Sequence, residues 1–191
     1  MAEPPAGKPK RVLLDACVLF PAVLRDILLG CARAGLFSPC WSPRILAEWA
    51  HTAQRRGPDA GTAAVAAITA LRAAFPDAET LPDAATETLL DLPDPADAHV
   101  LAAALAARAD LLVTQNLRDF PARALAPHGL RAQSPDDFLM TLWLAEPETV
   151  ATAVAAVQTE TARHSGRPQP LRPLLKRAKL PRLGKALATD P

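Results

Sequence analysis

The chain contains no tyrosine, and five Phe and three Trp leave aromatics at 4% of its 191 residues. A flat aromatic platform that stacks bases, as in RRM or OB modules, is poorly supported by so few rings. Cysteine is scarce and odd in number. Cys17, Cys31 and Cys40 show no CxxC spacing, which points to reduced, buried thiols rather than a disulfide framework or a zinc site. Every apolar run meets an Asp, Arg, Thr or Pro before about 18 residues, so no membrane-spanning helix is expected. The stretch Met1 to Lys10 is polar and Pro-rich. It lacks the apolar h-region of a secretory signal and reads as a disordered lead. Together these absences predict a cytoplasmic protein with no membrane partner.

What is present is a core and a charge split. Half the residues are apolar and 21% are charged, enough for one ordinary domain with a small appendage. Alanine fills 41 positions, which favours helix because Ala loses no side-chain entropy there. The net charge of +1 hides 13 Lys/Arg against 19 Asp/Glu in residues 1–160, and eight against one in 161–191. An acidic body with a basic tail suits a polyanion held near a metal-binding site, or a tail that packs on acids.

Along the chain, Arg11-Val12-Leu13-Leu14 is a short apolar run closed by Asp15, a predicted buried strand. Val18, Leu19, Val23, Ile27, Leu28 and Cys31 then recur at helical spacing up to Gly35. Ser42-Pro43 opens a helix with an N-cap and a proline in its first turn. Residues 60–75 form an Ala-rich third helix, and 80–92 has room for a short strand. Pro95 precedes a helix over about 96–108, and Leu111-Leu112-Val113-Thr114 is a second strand. Ser134-Pro135 starts a helix through Leu144, and another covers about 147–163. Arg167-Pro168-Gln169-Pro170 reads as a linker, and 171–187 as one or two short basic amphipathic helices. Strands each followed by helix indicate an α/β sheet rather than a bundle.

The acids fall in telling places. Asp15 closes the first strand. Glu48 sits among Leu46, Ala47, Trp49 and Ala50 on a helix. Asp97 opens a helix, and Asp119 lies three residues beyond Asn116 in the loop after the second strand. In an open parallel sheet, strand ends and adjacent helix starts converge on one crevice. Converging carboxylates repel, and burying them is costly without a cation. Hard oxygen donors suit Mg²⁺ or Mn²⁺. Singly, Asp97 could serve a helix dipole, Asp119 a turn and Glu48 a solvated face. Asp15, directly after Val-Leu-Leu, is the hardest to dismiss. Asp94 reads as a turn acid close to the site, and His99 as a packed helix residue.

Four segments resemble the motifs of PIN-domain ribonucleases, in order and spacing. They are Leu13-Leu14-Asp15-Ala16-Cys17-Val18-Leu19-Phe20-Pro21, Trp41-Ser42-Pro43-Arg44-Ile45-Leu46-Ala47-Glu48-Trp49, Asp94-Pro95-Ala96-Asp97-Ala98-His99-Val100-Leu101-Ala102-Ala103-Ala104, and Val113-Thr114-Gln115-Asn116-Leu117-Arg118-Asp119-Phe120-Pro121. The resemblance covers about 11–140 and is strongest to VapC-type toxins of toxin–antitoxin pairs, in a subgroup with a C-terminal helical extension. It implies a three-layer α/β/α fold with a short parallel sheet. The resulting division is a lead over 1–10, a nuclease domain over 11–144, and a helical extension with a basic tail over 145–191.

The resemblance further implies a Mg²⁺- or Mn²⁺-dependent endoribonuclease acting on RNA such as tRNA or rRNA. Asp15, Glu48 and Asp97 carry over as the acidic core. Asn116 and Asp119 both occupy fourth-motif positions, with Asp119 favoured for its charge and Asn116 as a neutral ligand. Thr114 would position Asp15 through its hydroxyl. Cys17 departs from the Asn or Ser usual in relatives. RNA phosphodiesters resist attack because nucleophile and phosphate are both negative. A divalent ion supplies polarisation and a more acidic water there, and Glu48 or Asp119 is the candidate to orient or deprotonate that water. Arg172, Lys176, Arg177, Lys179 and Arg182 are candidate RNA contacts. Homodimerisation and a cognate antitoxin that covers the crevice, often with an Arg among the acids, are the partners the family implies.

Two other function classes fit the same residues. One is a catalytically inactive PIN-like interaction module; the other is a nuclease acting on DNA. A haloacid-dehalogenase phosphatase needs a second Asp two residues after the first, where Cys17 stands. A dinucleotide-binding domain fits less well still, because no GxGxxG follows the first strand.

Overall fold

The structure, a computed structural model, describes residues 10–188. The lead expected over 1–10 lies outside them except for Lys10. Four strands among the described residues form one parallel sheet in the order β2-β1-β3-β4. They are β1 (Arg11–Leu14), β2 (Ser38–Cys40), β3 (Leu111–Val113) and β4 (Ala132–Gln133). The two central strands are continuous apolar runs, as burial on both faces demands. Val12, Leu13 and Leu14 are wholly buried, as are Leu112 and Val113.

Between β1 and β2 run α1 (Ala16–Leu19) and α2 (Ala22–Arg33). Between β2 and β3 run α3 (Pro43–Gln54), α4 (Pro58–Ala74), α5 (Ala84–Thr88) and α6 (Ala98–Ala106), and α7 (Ala122–Leu125) leads to β4. The first crossover leaves β1 in one direction, and the second passes back over it to the other side. Parallel crossovers are right-handed, so this reversal puts α2 and α6 on opposite faces of the sheet, while α3 packs against α1. The chain thus forms the α/β, helix–sheet–helix fold expected of it. It also creates a crevice at the carboxyl ends of β1 and β3, where the strand order reverses.

After the sheet come α8 (Pro135–Ala145), α9 (Pro147–Ser165), α10 (Leu171–Arg177) and α11 (Pro181–Ala186). α9 packs on α2, on α8 and close against Gly30, where a Cβ would stand 3.1 Å from that of Ala153. α11 packs on α8. Asp136 of α8 accepts the backbone N–H groups of Arg182 (2.9 Å) and Leu183 (3.1 Å), capping α11 from outside. Val150, Val154, Leu175, Leu180 and Leu183 belong to the same buried cluster as β1 and β3.

Three local expectations change. The helical spacing from Val18 to Cys31 is split, because Pro21 leaves the helical region (ψ 113°) and separates α1 from α2. Segment 80–92 holds no strand: Glu79 makes an isolated bridge to Trp41, and α5 follows. β2 and β4 were not foreseen, being three and two residues long. β2 carries Pro39, which a sheet accepts only at an edge such as this one.

Candidate active site

Asp15 is the first residue beyond β1 and only 9% exposed. Its backbone N–H continues the ladder to the carbonyl of Val113 (3.2 Å). Its Oδ2 accepts the Thr114 hydroxyl (2.6 Å) and the Cys17 thiol (3.0 Å). The Asn116 amide N–H in turn donates to Thr114 Oγ1 (3.0 Å), and that of Gln115 to Cys17 Sγ (3.2 Å). The two strand ends are therefore tied around one carboxylate. Cys17 thus supplies a hydrogen bond to that carboxylate. Burial, then the charge of Asp15 beside it, pushes the Cys17 thiol up to about 12, so it stays a neutral donor.

Glu48 is brought to the crevice by α3, whose start is fixed by Ser42. The Ser42 Oγ accepts the Ile45 N–H (3.3 Å), with Pro43 in the first turn. Glu48 Oε1 lies 2.8 Å from Nε2 of His99 and 3.8 Å from Nε of Arg44. His99 is packed, 2% exposed, and its Nδ1 is buried without a partner. This pairing of α3 with α6 was not read from the sequence. Its only trace was a histidine on the buried face of the helix that Asp97 opens.

Asp97 stands at the N-cap of α6, yet its side chain caps nothing. Asp94 caps the preceding turn instead, accepting the Ala96 N–H (2.9 Å). Oxygens of Asp94, Asp97 and Asp119 lie within 4.8 Å of one another. Asn116 donates its side-chain amide to Asp119, so the two fourth-motif residues act together. Burial, then the charges of Asp15, Asp119 and Asp94, pushes the Asp97 carboxyl up to about 6. A repelling set of carboxylates with a neutral amide beside it is a donor set for a hard divalent cation. The residues therefore fit the metal that the sequence implies, with Asp94 an added member.

A cleft of about 1180 Å³ opens over these residues, with Asp15, Glu48, Asp97 and Asn116 among its lining. Its rim is basic. Arg44 comes from α3, Arg55 and Arg56 from the turn that ends it, and Arg177 and Lys179 from the extension. Of the five predicted basic contacts, these last two reach the cleft. Arg172 and Lys176 are exposed and do not line it. Arg182 is ion-paired with Asp137 on α8. Arg55 and Arg56 were missed, although Glu48, Thr52 and Arg55 follow each other along one face of α3 and its C-cap.

The family model described as PIN domain matches residues 11–118. That span includes Asp15, Glu48, Asp94, Asp97 and Asn116, and stops one residue before Asp119. The chain is 48% identical over 62 residues to "Putative ribonuclease VapC50" of Mycobacterium tuberculosis (strain ATCC 25618 / H37Rv). The matched stretch is 32% of this chain and 37% of that protein, so the chain spans little more than a third of the relative's length. No solved structure matches the chain.

Proposed function

The chain belongs to the PIN-domain family, and from that premise we propose that it is a VapC-like, Mg²⁺- or Mn²⁺-dependent endoribonuclease of a toxin–antitoxin pair. One observation carries the reading. Acids from three separate elements meet at the sheet's switch point, and burial, then the neighbouring carboxylates, pushes the Asp97 carboxyl up to about 6. Asp15, Asp97 and Asp119 would hold the cation, with Asn116 and Asp94 beside them. The ion supplies polarisation of the phosphoryl oxygen and a more acidic water.

The protein's own groups do the rest. Thr114 and Cys17 fix Asp15 Oδ2 by donated hydrogen bonds. His99 holds Glu48 Oε1, which positions that carboxylate at the cleft to orient a water or take its proton. The substrate is RNA, with tRNA and rRNA the structured candidates. The partner is a cognate antitoxin whose cation would neutralise the acids. The protein would act in the cytoplasm as a homodimer, for which Leu81 and Leu89, 80% and 84% exposed, are candidate contacts.

The test is cleavage of end-labelled RNA by the purified chain with Mn²⁺, with Mg²⁺ or with EDTA, and of DNA of the same sequence. Asp15→Asn is expected to lower the rate by a factor of at least about 10³ while RNA binding persists. Wild-type cleavage by that variant would remove the assignment. Faster cutting of the DNA would move the substrate class.

A further inference from the structure

The extension reaches the cleft with two cations that are aimed rather than loose. Arg177 donates to Gln169 Oε1 (2.8 Å), and Gln169 is 8% exposed. Gln169 is itself pinned: its Nε2 donates to Ser165 Oγ (2.9 Å), and its backbone carbonyl accepts from Gln158 Nε2 (2.7 Å). A buried amide held at both its nitrogen and its oxygen gives a side chain one orientation. Lys179 holds a left-handed backbone (φ 60°), unusual for a residue with a Cβ. From there its ammonium reaches Gln115 Oε1 (2.7 Å), beside Thr114 and Asn116. Both partners are neutral, so both charges remain unspent. Three other cations differ: Arg182 is paired with Asp137, Arg163 with Glu160 and Arg44 with Glu87.

Arg55 and Arg56 line the same cleft, the latter 4.5 Å over the ring of Phe20. Basic side chains from two separate parts of the chain thus share one cleft with the acids Asp15, Glu48 and Asp97. A cation held by these acids offsets their charge locally. The basic side chains then suit phosphates on either side of the one being cut.

We propose that Arg177 and Lys179 form a substrate clamp, holding backbone phosphates of a single RNA strand that runs between the extension and the C-terminal end of α3. The clamp rests on the ribonuclease reading and adds to it how the substrate is gripped. Its grip is on the backbone, so it contributes affinity and register without base preference.

The experiment uses the full chain carrying Asp15→Asn, which blocks cleavage. Binding of a fluorescent single-stranded oligoribonucleotide is titrated by anisotropy over a range of salt. Arg177→Gln with Lys179→Gln is expected to weaken binding about tenfold or more at 100 mM salt. The slope of log affinity against log salt should fall by about 1.4, or about 0.7 per lost contact to a single strand. Arg172→Gln with Lys176→Gln, on the same extension but away from the cleft, should leave the slope unchanged. Lys179→Arg should keep it. Far-ultraviolet circular dichroism and melting of each variant identify any that have lost the fold.

An unchanged slope in the Arg177/Lys179 variant overturns the clamp, as does an equal loss in the Arg172/Lys176 variant. A loss of the same size for a poly-glutamate peptide also overturns it, in favour of an acidic protein ligand. If the wild-type chain cuts RNA while the slope stays unchanged, the clamp alone has failed. If it neither cuts nor binds RNA, both readings fail.

Discussion

At the scale of single residues, Asp97 carries the strain of the site. Its folded-state pKa is raised from 3.8 to about 6. The stability linked to this group is therefore complete below about pH 4 and is lost as the pH rises through about 6. With allowance for its solvent exposure, the loss is about 1 kcal/mol. Without divalent ions, Asp97→Asn is expected to melt about 3 °C above wild type at pH 7.5 and level with it at pH 4. With Mn²⁺, wild type should gain melting temperature and the variant should gain little. Equal melting of the two metal-free proteins at pH 7.5 would mean that the acids do not repel. Asp15 was legible because it ends an apolar strand. The Glu48–His99 pair was not, because a contact between α3 and α6 leaves no spacing in either segment.

At the scale of elements, caps were the readable signals. Ser42-Pro43 and Ser134-Pro135 start α3 and α8, and both serines accept backbone N–H bonds in the first turn. The edge strands were unreadable. β2 is Ser-Pro-Cys and β4 is Ala-Gln, and they exist because β1 and β3 offer them partners. α11 is six residues long, too short to hold itself in water, and takes its cap from α8. Asp136→Ala leaves two backbone N–H groups without that acceptor. It is expected to cost about 1–2 kcal/mol, read as a lower urea midpoint with an unchanged slope. No change in midpoint would show that α11 does not depend on this anchor.

At the scale of the whole molecule, the extension is part of the fold rather than a trailing arm. Leu174, Leu175, Leu180 and Leu183 are buried, and their partners on the body would be laid bare without them. Truncation after Gly166 is expected to cost about 3 kcal/mol or more and to lower the melting temperature by about 10 °C. A truncated chain that melts like the full one would make the extension an independent arm. The convergence of acids was legible because strand ends meet at a switch point whatever the loops do. The basic rim was legible only in part. Composition marked the tail as cationic, but which cations turn inward depends on how α10 and α11 dock.

That docking bears on the aim of Arg177. The group that fixes it is an amide, Gln169, packed away from water. An amide neither takes up nor releases a proton across the ordinary range of acidity, and as a neutral acceptor it offers no charge for dissolved ions to screen. The arginine therefore points the same way in mild acid, at neutrality and in brine, and only its pull on a polyanion fades as salt is added.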